Sequence, residues 1–387
     1  MATLSSEGVE TDSVDFDGPK SDPPSPGLDG KSSKTSPELA LSNKISSMGV
    51  GLGYAAAFTM QIISVIFLVI FSRMAPNLAK TSIPMRIILF FVGVWWASWT
   101  IPAALWLRRR PGPPLPAHIG SGNKWFHWLS YITFAWSSLW GTIKIAAQLK
   151  QVVLFLIGWF ILSDAIATVS GTAILFARVE LQMGTALVAL LSIVATSSGM
   201  AGAFLWPVIA KRFKLASNHV IVACIILFEI IPLYGLLGFI PFVKRWGVGG
   251  MQQQWEIFPM AVIHGFVLGG FTSHCRSYFG VLIPPGREAA FYSLFAFTDK
   301  GSSVIGPAIV GRIVDKTGSI RSAFWFLAVL NLLPGPLILL VDALKGRADA
   351  LMMADKSNGM NGNVGGSTGS GVHHDEETEN LLSGRDD

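Results

Sequence analysis

Six ionisable side chains stand out within the long apolar stretches of this sequence. In chain order they are Asp164, Glu229, His264, Arg276, Asp299 and Lys300. An ionisable group in apolar surroundings is costly unless a partner or water compensates it, and such groups inside membranes mark ion or substrate pathways. Each is therefore a candidate for a substrate or proton path, with a purely structural role as the alternative.

Asp164 begins a stripe of small and polar residues. Thr168, Gly171 and Thr172 follow it at helical spacing, so the four residues share one helix face. Such a face could line a cavity in which Asp164 and Thr168 meet a substrate or a proton. The alternative is that the small residues pack helix to helix while the Asp164 carboxylate caps or bonds a neighbour.

Glu229 and His264 are candidates for proton transfer. Glu229 stands just before Pro232, where its carboxylate either receives a proton or, in the interpretation we favour, bonds backbone freed by the proline. Histidine side chains ordinarily titrate near neutral pH, so His264 is a candidate for proton coupling or for a polar contact to a substrate. The structural alternative is an imidazole that is simply satisfied by hydrogen bonds.

Arg276, Asp299 and Lys300 predict an ion-pair network. Pro284 and Pro285 form a tight return after Arg276, so its long side chain is expected to reach the next helix near Asp299. Asp299 and Lys300 are about 100° apart on a helix, so at least one of them needs a further partner or water. The structural network is favoured over direct substrate contact, because charge partners offset the cost of burial.

Eight apolar stretches carry these residues, each with the ~20 residues that a helix needs to cross a bilayer core. They run from 48 to 72, 85 to 107, 151 to 176, 184 to 208, 218 to 241, 256 to 283, 289 to 312 and 320 to 343. Because 51% of the residues are hydrophobic and only 14% are charged, the sequence predicts an all-α membrane protein.

Charge and motif content exclude several other classes of protein. The net charge of +5 comes from Lys and Arg that flank the apolar stretches, which favours a bilayer and not a nucleic acid as partner. Cys224 and Cys275 lie within apolar stretches and support neither a disulfide framework nor a cysteine metal site. Without a phosphate loop, a zinc-protease motif or a serine-hydrolase elbow, we predict no enzyme, no cofactor, no metal and gradient-driven transport.

The spans divide the chain into five regions. Residues 1–47 are rich in Ser, Pro, Gly and Asp and lack a signal peptide, so a disordered cytosolic tail is expected. Residues 48–107 hold two spans, 108–150 a cytosolic linker, 151–345 six spans, and 346–387 a second disordered tail. Basic residues are more frequent in the connections on the side of the termini, which places both termini in the cytosol.

The linker 108–150 contains one amphipathic pattern. Trp128, Ile132, Trp136, Leu139, Trp140 and Ile143 recur at helical spacing and precede Lys144 and Lys150. This pattern predicts a helix in the headgroup layer. A ninth span is the alternative, although polar residues dilute its hydropathy.

One segment carries a specific family resemblance. Residues 280–343, GVLIPPGREAAFYSLFAFTDKGSSVIGPAIVGRIVDKTGSIRSAFWFLAVLNLLPGPLILLVDA, resemble the last two helices of the autophagy-related protein 22 family of vacuolar amino-acid effluxers, in the major facilitator superfamily. ISSMGVGLGYAAAFTMQ at 45–61, FFVGVWWASWTIPA at 90–103 and the segment 155–181 are also similar to that family. Within the superfamily, the spacing of Gly311, Asp315, Gly318 and Arg321 resembles a loop pattern that recurs at helix-pair turns.

The resemblance implies a major facilitator bundle. Such a bundle has twelve spans, so about eight spans are expected to be two from the first half and the complete six-helix second half. The implied function is export of amino acids from the vacuole to the cytosol. From the ionisable residues we hypothesise that the third and sixth spans face the path and that Asp164, Glu229 or His264 is a proton site. The alternatives are a truncated, non-transporting protein that binds or regulates a full-length carrier, and a carrier for another small solute.

The C-terminal tail contains a candidate sorting signal. Glu377, Leu381 and Leu382 are spaced as in an acidic dileucine motif, which adaptors read to sort cargo to vacuoles or lysosomes. A sorting adaptor is therefore an expected partner, and a multi-pass position in the vacuole membrane is the expected location.

Overall fold

The computed structural model describes residues 37–75, 82–107 and 124–365. Within these ranges the chain forms helices and no β-strand, which confirms the all-α prediction. Glu377, Leu381 and Leu382, most of the N-terminal tail and the Pro-rich start of the linker lie outside the described residues.

Thirteen α-helices make up the described part of the chain. They are α1 Pro37–Met74, α2 Ile83–Trp106, α3 Lys124–Ala146, α4 Lys150–Val179, α5 Thr185–Phe213, α6 Ser217–Leu236, α7 Pro241–Trp246, α8 Ile257–Leu282, α9 Glu288–Ser302, α10 Ile305–Thr317, α11 Ala323–Leu332, α12 Pro334–Leu339 and α13 Ala343–Gly365. Short 3₁₀ turns at Leu237–Phe239, Gln254–Glu256 and Ile320–Ser322 join several of them.

Seven stretches of this part are long and apolar enough to cross a membrane. They correspond to α1, α2, α4, α5, α6, α8 and the pair α11 and α12. The eighth predicted span, 289–312, is divided into α9 and α10 by a break at Ser303 and Val304. The hydroxyl groups of Ser302 and Ser303 donate to the Asp299 carbonyl and so compete with the regular helical ladder at this point.

Helix continues into both regions that were expected to be disordered tails. Helix α1 begins at Pro37, ten residues before the predicted boundary at 47, and the Ser46 hydroxyl donates to the Ser273 carbonyl of α8 at 3.1 Å. Helix α13 begins at Ala343 and continues past residue 345 to Gly365. Asp342 caps its start, because its side chain accepts from the amides of Leu344 and Lys345. Both predicted boundaries were therefore wrong.

The amphipathic pattern in the linker forms helix α3, as predicted, and α3 packs against α9. The ring centroids of Trp136 and Phe297 lie 6.4 Å apart in an edge-to-face arrangement. Helix α3 is not among the helices apolar enough to span a membrane in the described ranges. Its place in the headgroup layer stays a prediction.

Burial is concentrated in the helices after the linker. Phe155, Leu162 and Phe176 of α4 are completely buried, whereas within α2 only Pro84 is buried. Helices α5 and α8 approach each other closely, because a Cβ atom on Gly202 would collide with the Phe266 carbonyl and one on Gly269 with the Gly199 carbonyl. Small residues at such crossings are the usual means of tight helix packing in membranes.

Candidate functional site

A cavity of about 270 Å³ lies among α1, α4, α5, α6, α8 and α11. Its wall is mostly apolar and includes Val169, Leu191, Ile231, Met260 and Leu327. The polar side chains of the wall are Tyr54, Ser170, Ser192, Thr196 and His264. The cavity therefore offers hydroxyl groups and one imidazole, and no charged side chain lines it in the described part of the chain.

His264 and Ser170 form a hydrogen-bonded pair in this wall. The Ser170 Oγ lies 2.8 Å from His264 Nε2 and donates its hydrogen to the Ile166 carbonyl at 2.7 Å. Because a hydroxyl has one hydrogen, Ser170 accepts from His264, and Nε2 carries the hydrogen. In the neutral imidazole Nδ1 is then the acceptor atom.

Helix α1 supplies one side of the cavity. The Tyr54 ring lies against Gly199 of α5, where a Cβ atom would collide with it. About two turns further along, Gln61 Nε2 donates to Ser192 Oγ at 3.1 Å, and Gln61 Oε1 has no partner in the described ranges. The cavity is thus bounded by a helix from before the linker and by helices from after it.

Asp164 caps the helix that follows the break. Its Oδ1 accepts from the amide of Gly306 at 3.0 Å, in the first turn of α10, and its backbone carbonyl accepts from Thr168 Oγ at 2.6 Å. A Cβ atom on Gly306 would collide with the Thr168 hydroxyl. Asp164 and Thr168 are buried away from the cavity, so the capping alternative describes their contacts.

Asp299 and Lys300 pair with each other. Lys300 Nζ lies 2.9 Å from Asp299 Oδ2, and Ser163 Oγ donates to Asp299 Oδ1 at 2.6 Å. The Lys300 side chain is 85% exposed although it lies next to the break between α9 and α10. The long lysine side chain spans the angle between neighbouring positions, and Asp299 has Ser163 as the further partner that was expected.

Arg276 does not join this network, which corrects the predicted ion pair with Asp299. Its guanidinium lies over the Tyr292 ring, 5.6 Å from the ring centroid. Arg276 lies six residues, about 9 Å, before the end of α8, whereas Asp299 lies eleven residues, about 16 Å, into α9. The two side chains are therefore at different heights, and Tyr292 is closer to the level of Arg276.

Glu229 is hydrogen-bonded to Asn331, which was not among the predicted site residues. Asn331 Nδ2 of α11 donates to Glu229 Oε2 of α6 at 2.9 Å. Glu229 is 8% exposed and Asn331 is completely buried. Asn331 Oδ1 has no hydrogen-bond partner among the described residues. The only sequence signal was an amide side chain within an apolar stretch, three residues before Pro334.

A compact loop closes one end of the cavity. The buried Glu256 carboxylate accepts from the Tyr234 hydroxyl at 3.0 Å and from four backbone amides, those of Gly249, Met251, Gln252 and Gln253. Arg321 donates to the carbonyls of Gly250 and Met251.

Met251, at a left-handed φ of 58°, is buried and contributes to the cavity wall. The sequence pattern indicated Arg321 only as part of a loop motif, and it gave no indication of a role for Glu256.

The predicted site residues thus fall into separate places. His264 lines the cavity, Asp164, Thr168, Asp299 and Lys300 gather around the helix break, Glu229 pairs with Asn331, and Arg276 stacks on Tyr292. In the described ranges, no three His, Cys, Asp or Glu residues are arranged to hold a metal ion.

Comparison with known proteins decides the family. The family model described as "Vacuole effluxer Atg22 like" matches residues 20–351. The chain belongs to this family. The Atg22 membership confirms the resemblance noted in the sequence, and with its seven long apolar helices the chain is a multi-pass protein of the vacuolar membrane.

Curated Atg22 relatives are similar along most of the chain. Autophagy-related protein 22-1 of Aspergillus clavatus is 58% identical over 352 residues, which are 90% of this chain and 57% of the relative. Autophagy-related protein 22-1 of Sclerotinia sclerotiorum is 60% identical over 320 residues, 82% of this chain and 53% of the relative. Autophagy-related protein 22-2 of Aspergillus niger is 55% identical over 376 residues, 96% and 61% respectively. The chain therefore spans a little over half the length of these Atg22 proteins.

Proposed function

We propose that this chain exports amino acids from the vacuole to the cytosol along a path between α1 and the helices that follow the linker. The observation that carries the proposal is the cavity bounded by Tyr54 on one side and by Ser170 and His264 on the other. Carriers with alternating access hold substrate between helix groups that move against each other. The family description as a vacuole effluxer supports the direction of transport.

The chemistry of the wall supports a small substrate with an apolar part. Aliphatic and aromatic side chains make up most of the wall, while hydroxyl groups and His264 provide a few directional contacts. The two charged ends of an amino acid need further partners. We propose that the half-buried Asp299 and the exposed Lys300 supply these opposite charges at a second point on the path.

Movement is proposed to follow the acidity of the vacuole. Asp164, Glu229 and His264 are the candidate proton sites. Asp164 is already occupied as a helix cap, which leaves Glu229 and His264 as the groups with the greater freedom to change protonation. The orientation with cytosolic termini belongs to this proposal.

Reconstituted vesicles test the proposal directly. The purified chain should exchange labelled amino acid across the vesicle membrane, and an acidic lumen should accelerate net export. His264→Leu and Ser170→Ala should reduce exchange, because they remove the polar contacts of the cavity wall. Absence of amino-acid exchange by the wild-type chain would reject the proposal, and indifference to the pH gradient would reject the proton coupling.

A second candidate function is binding to a full-length carrier of the same family. The exposed surface of α2 favours it, since Trp96, Trp99 and Trp106 are at least 60% exposed on a helix with one buried residue in the described ranges. Co-purification of this chain with a full-length relative would support this function. Recovery of the chain alone, with intact amino-acid exchange, would reject it.

A further inference from the structure

We propose that Glu229 and Asn331 form the proton-binding site of this protein, with Glu229 as the acceptor and Asn331 as the residue that serves both of its protonation states. The coupling role assigned to this site rests on the proposed transport function. The proton-binding role itself depends only on the two side chains and their surroundings.

The hydrogen bonds of the pair leave one acceptor without a donor. Asn331 Nδ2 donates to Glu229 Oε2, while Asn331 Oδ1 is buried and has no partner in the described part of the chain. A buried acceptor without a partner costs about 1–3 kcal/mol. The ionised carboxylate brings only acceptors to this place, whereas a carboxylic acid brings an O–H donor. The pair is therefore short of one hydrogen, which a proton on Glu229 would supply.

An amide is suited to both states of a carboxyl group. Toward the carboxylate Asn331 presents its NH₂ group, as it does here. Toward the carboxylic acid it can present its carbonyl after half a turn about the Cβ–Cγ bond, and the acid O–H then donates to Oδ1. One proton binds to a Glu229 oxygen and the same proton later leaves it, so no other bond is formed or broken.

In the described structure, no other charged side chain bonds Glu229 or Asn331. Helices α11 and α12 contain no ionisable residue. Helices α4 and α10 also pack against α11, but Asp164 is bonded to Gly306, and Arg178, Arg312, Asp315 and Lys316 are exposed. On α5, Lys211 and Arg212 stand in the last turn. On α6 itself, Tyr234 is bonded to Glu256, while His219 and Cys224 lie at least five residues before Glu229. Protonation is therefore the available route to a neutral Glu229.

Helix α8 also packs against α6, and its ionisable side chains have other contacts. His264 faces the Phe228 ring at 5.7 Å and bonds Ser170. His274 contacts Ser273 and the Gly270 carbonyl, and Arg276 lies over the Tyr292 ring. Tyr278 donates to the Val341 carbonyl, and Cys275 is buried. None of them bonds Glu229 in the described structure.

The pair lies next to the cavity. Pro232 is one helical turn after Glu229, Leu327 is one turn before Asn331, and both line the cavity. Glu229 and Asn331 are thus carried by the two helices that form this part of the wall. A proton that enters the cavity has a short route to the carboxylate, and Glu229 can respond to whether the cavity is open.

Infrared difference spectroscopy of the purified chain, titrated with acid and base, tests proton binding without transport. We expect a carboxylic-acid C=O band that persists above the pH at which the other Asp and Glu residues of the chain ionise and that vanishes at high pH. Glu229→Gln should remove this band while keeping an amide-to-amide hydrogen bond and the fold. Asn331→Leu should shift its frequency, because leucine cannot bond the acid. The matched control Glu180→Gln, at the exposed end of α4, should leave the band unchanged.

Vesicles that report both exchange of labelled amino acid and substrate-driven proton flux test coupling. We expect Glu229→Gln to retain exchange and to lose the proton flux, while Glu180→Gln retains both. Persistence of the carboxylic-acid band or of the proton flux in Glu229→Gln would overturn the inference. If the wild-type chain exchanges no amino acid, the transport function fails, and the infrared result still decides whether Glu229 binds the proton.

Discussion

Two polar clusters of this chain differ in how completely their hydrogen bonds are satisfied. At the break between α9 and α10, Asp164 accepts from Gly306, and Asp299 is paired with both Ser163 and Lys300. At the other cluster, Glu229 and Asn331 share one hydrogen bond and leave a buried carbonyl without a partner in the described residues. The satisfied cluster holds a helix break, and the unsatisfied cluster is suited to gaining a proton.

The largest effect is expected from a side chain placed at the break. Gly306→Val puts a branched Cβ where the Thr168 hydroxyl and the Asp164 carboxylate already lie. We expect a loss of about 3 kcal/mol of stability, the upper end for overpacking a filled site. Unfolding in detergent followed by circular dichroism measures it. Gly301→Val is the control, since a Cβ there meets no neighbouring atom. Equal stability of the two variants would contradict the close approach.

Removal of the cap comes next in size. Asp164→Ala leaves the Gly306 amide without its acceptor at the start of α10 and should cost about 2 kcal/mol. Asp164→Asn keeps a carbonyl oxygen at the same place and should recover most of that loss. The same unfolding assay compares them. If alanine and asparagine were equally destabilising, Asp164 would act through its charge and not as a cap.

A smaller loss is expected when one donor to Asp299 is removed. Ser163→Ala deletes the hydrogen bond to Oδ1 and should cost about 1 kcal/mol, because Lys300 still pairs with Oδ2. Combining it with Lys300→Met should cost more than the sum of the single changes, since the carboxylate then loses both partners. A double-mutant cycle measures the excess. Additive losses would show that the two contacts are independent.

The smallest change in stability is expected at the second cluster. Asn331→Leu removes the donor to Glu229, which is destabilising, but it also removes the unpartnered carbonyl, which is stabilising. Because these two effects oppose each other, stability should change by less than about 1 kcal/mol. The comparison between clusters predicts that this nearly silent variant alters proton-coupled transport. A loss as large as that of Asp164→Ala would remove the distinction between the two clusters.

Much of the architecture follows from local sequence pattern. Long apolar stretches can satisfy their backbone in lipid only as helices, so the spans and the all-α class were predictable. The break at Ser303 and Val304 was not, because Gly and Ser are also common in continuous membrane helices. Helix α13 was missed because its apolar content is low, although Asp342 is a recognisable cap.

The candidate site was predictable only in part. His264 was found because an ionisable side chain in an apolar stretch is conspicuous, while its partner Ser170 is a common residue in such helices. Asn331 and Glu256 matter through contacts with distant residues, which no local pattern reveals. The predicted pairing of Arg276 with Asp299 was wrong because spacing along the chain does not give the relative height of two packed helices.

The loop at the closed end of the cavity has a mechanical consequence. Five hydrogen bonds converge on Glu256 and two more come from Arg321, so residues 249–253 are tied to α8 and to the start of α11. Peeling the loop away would break all of these bonds, whereas tilting both helices would carry it along intact. The loop and these helix ends therefore form one rigid unit. We expect an opening at this end of the cavity to require movement of whole helices.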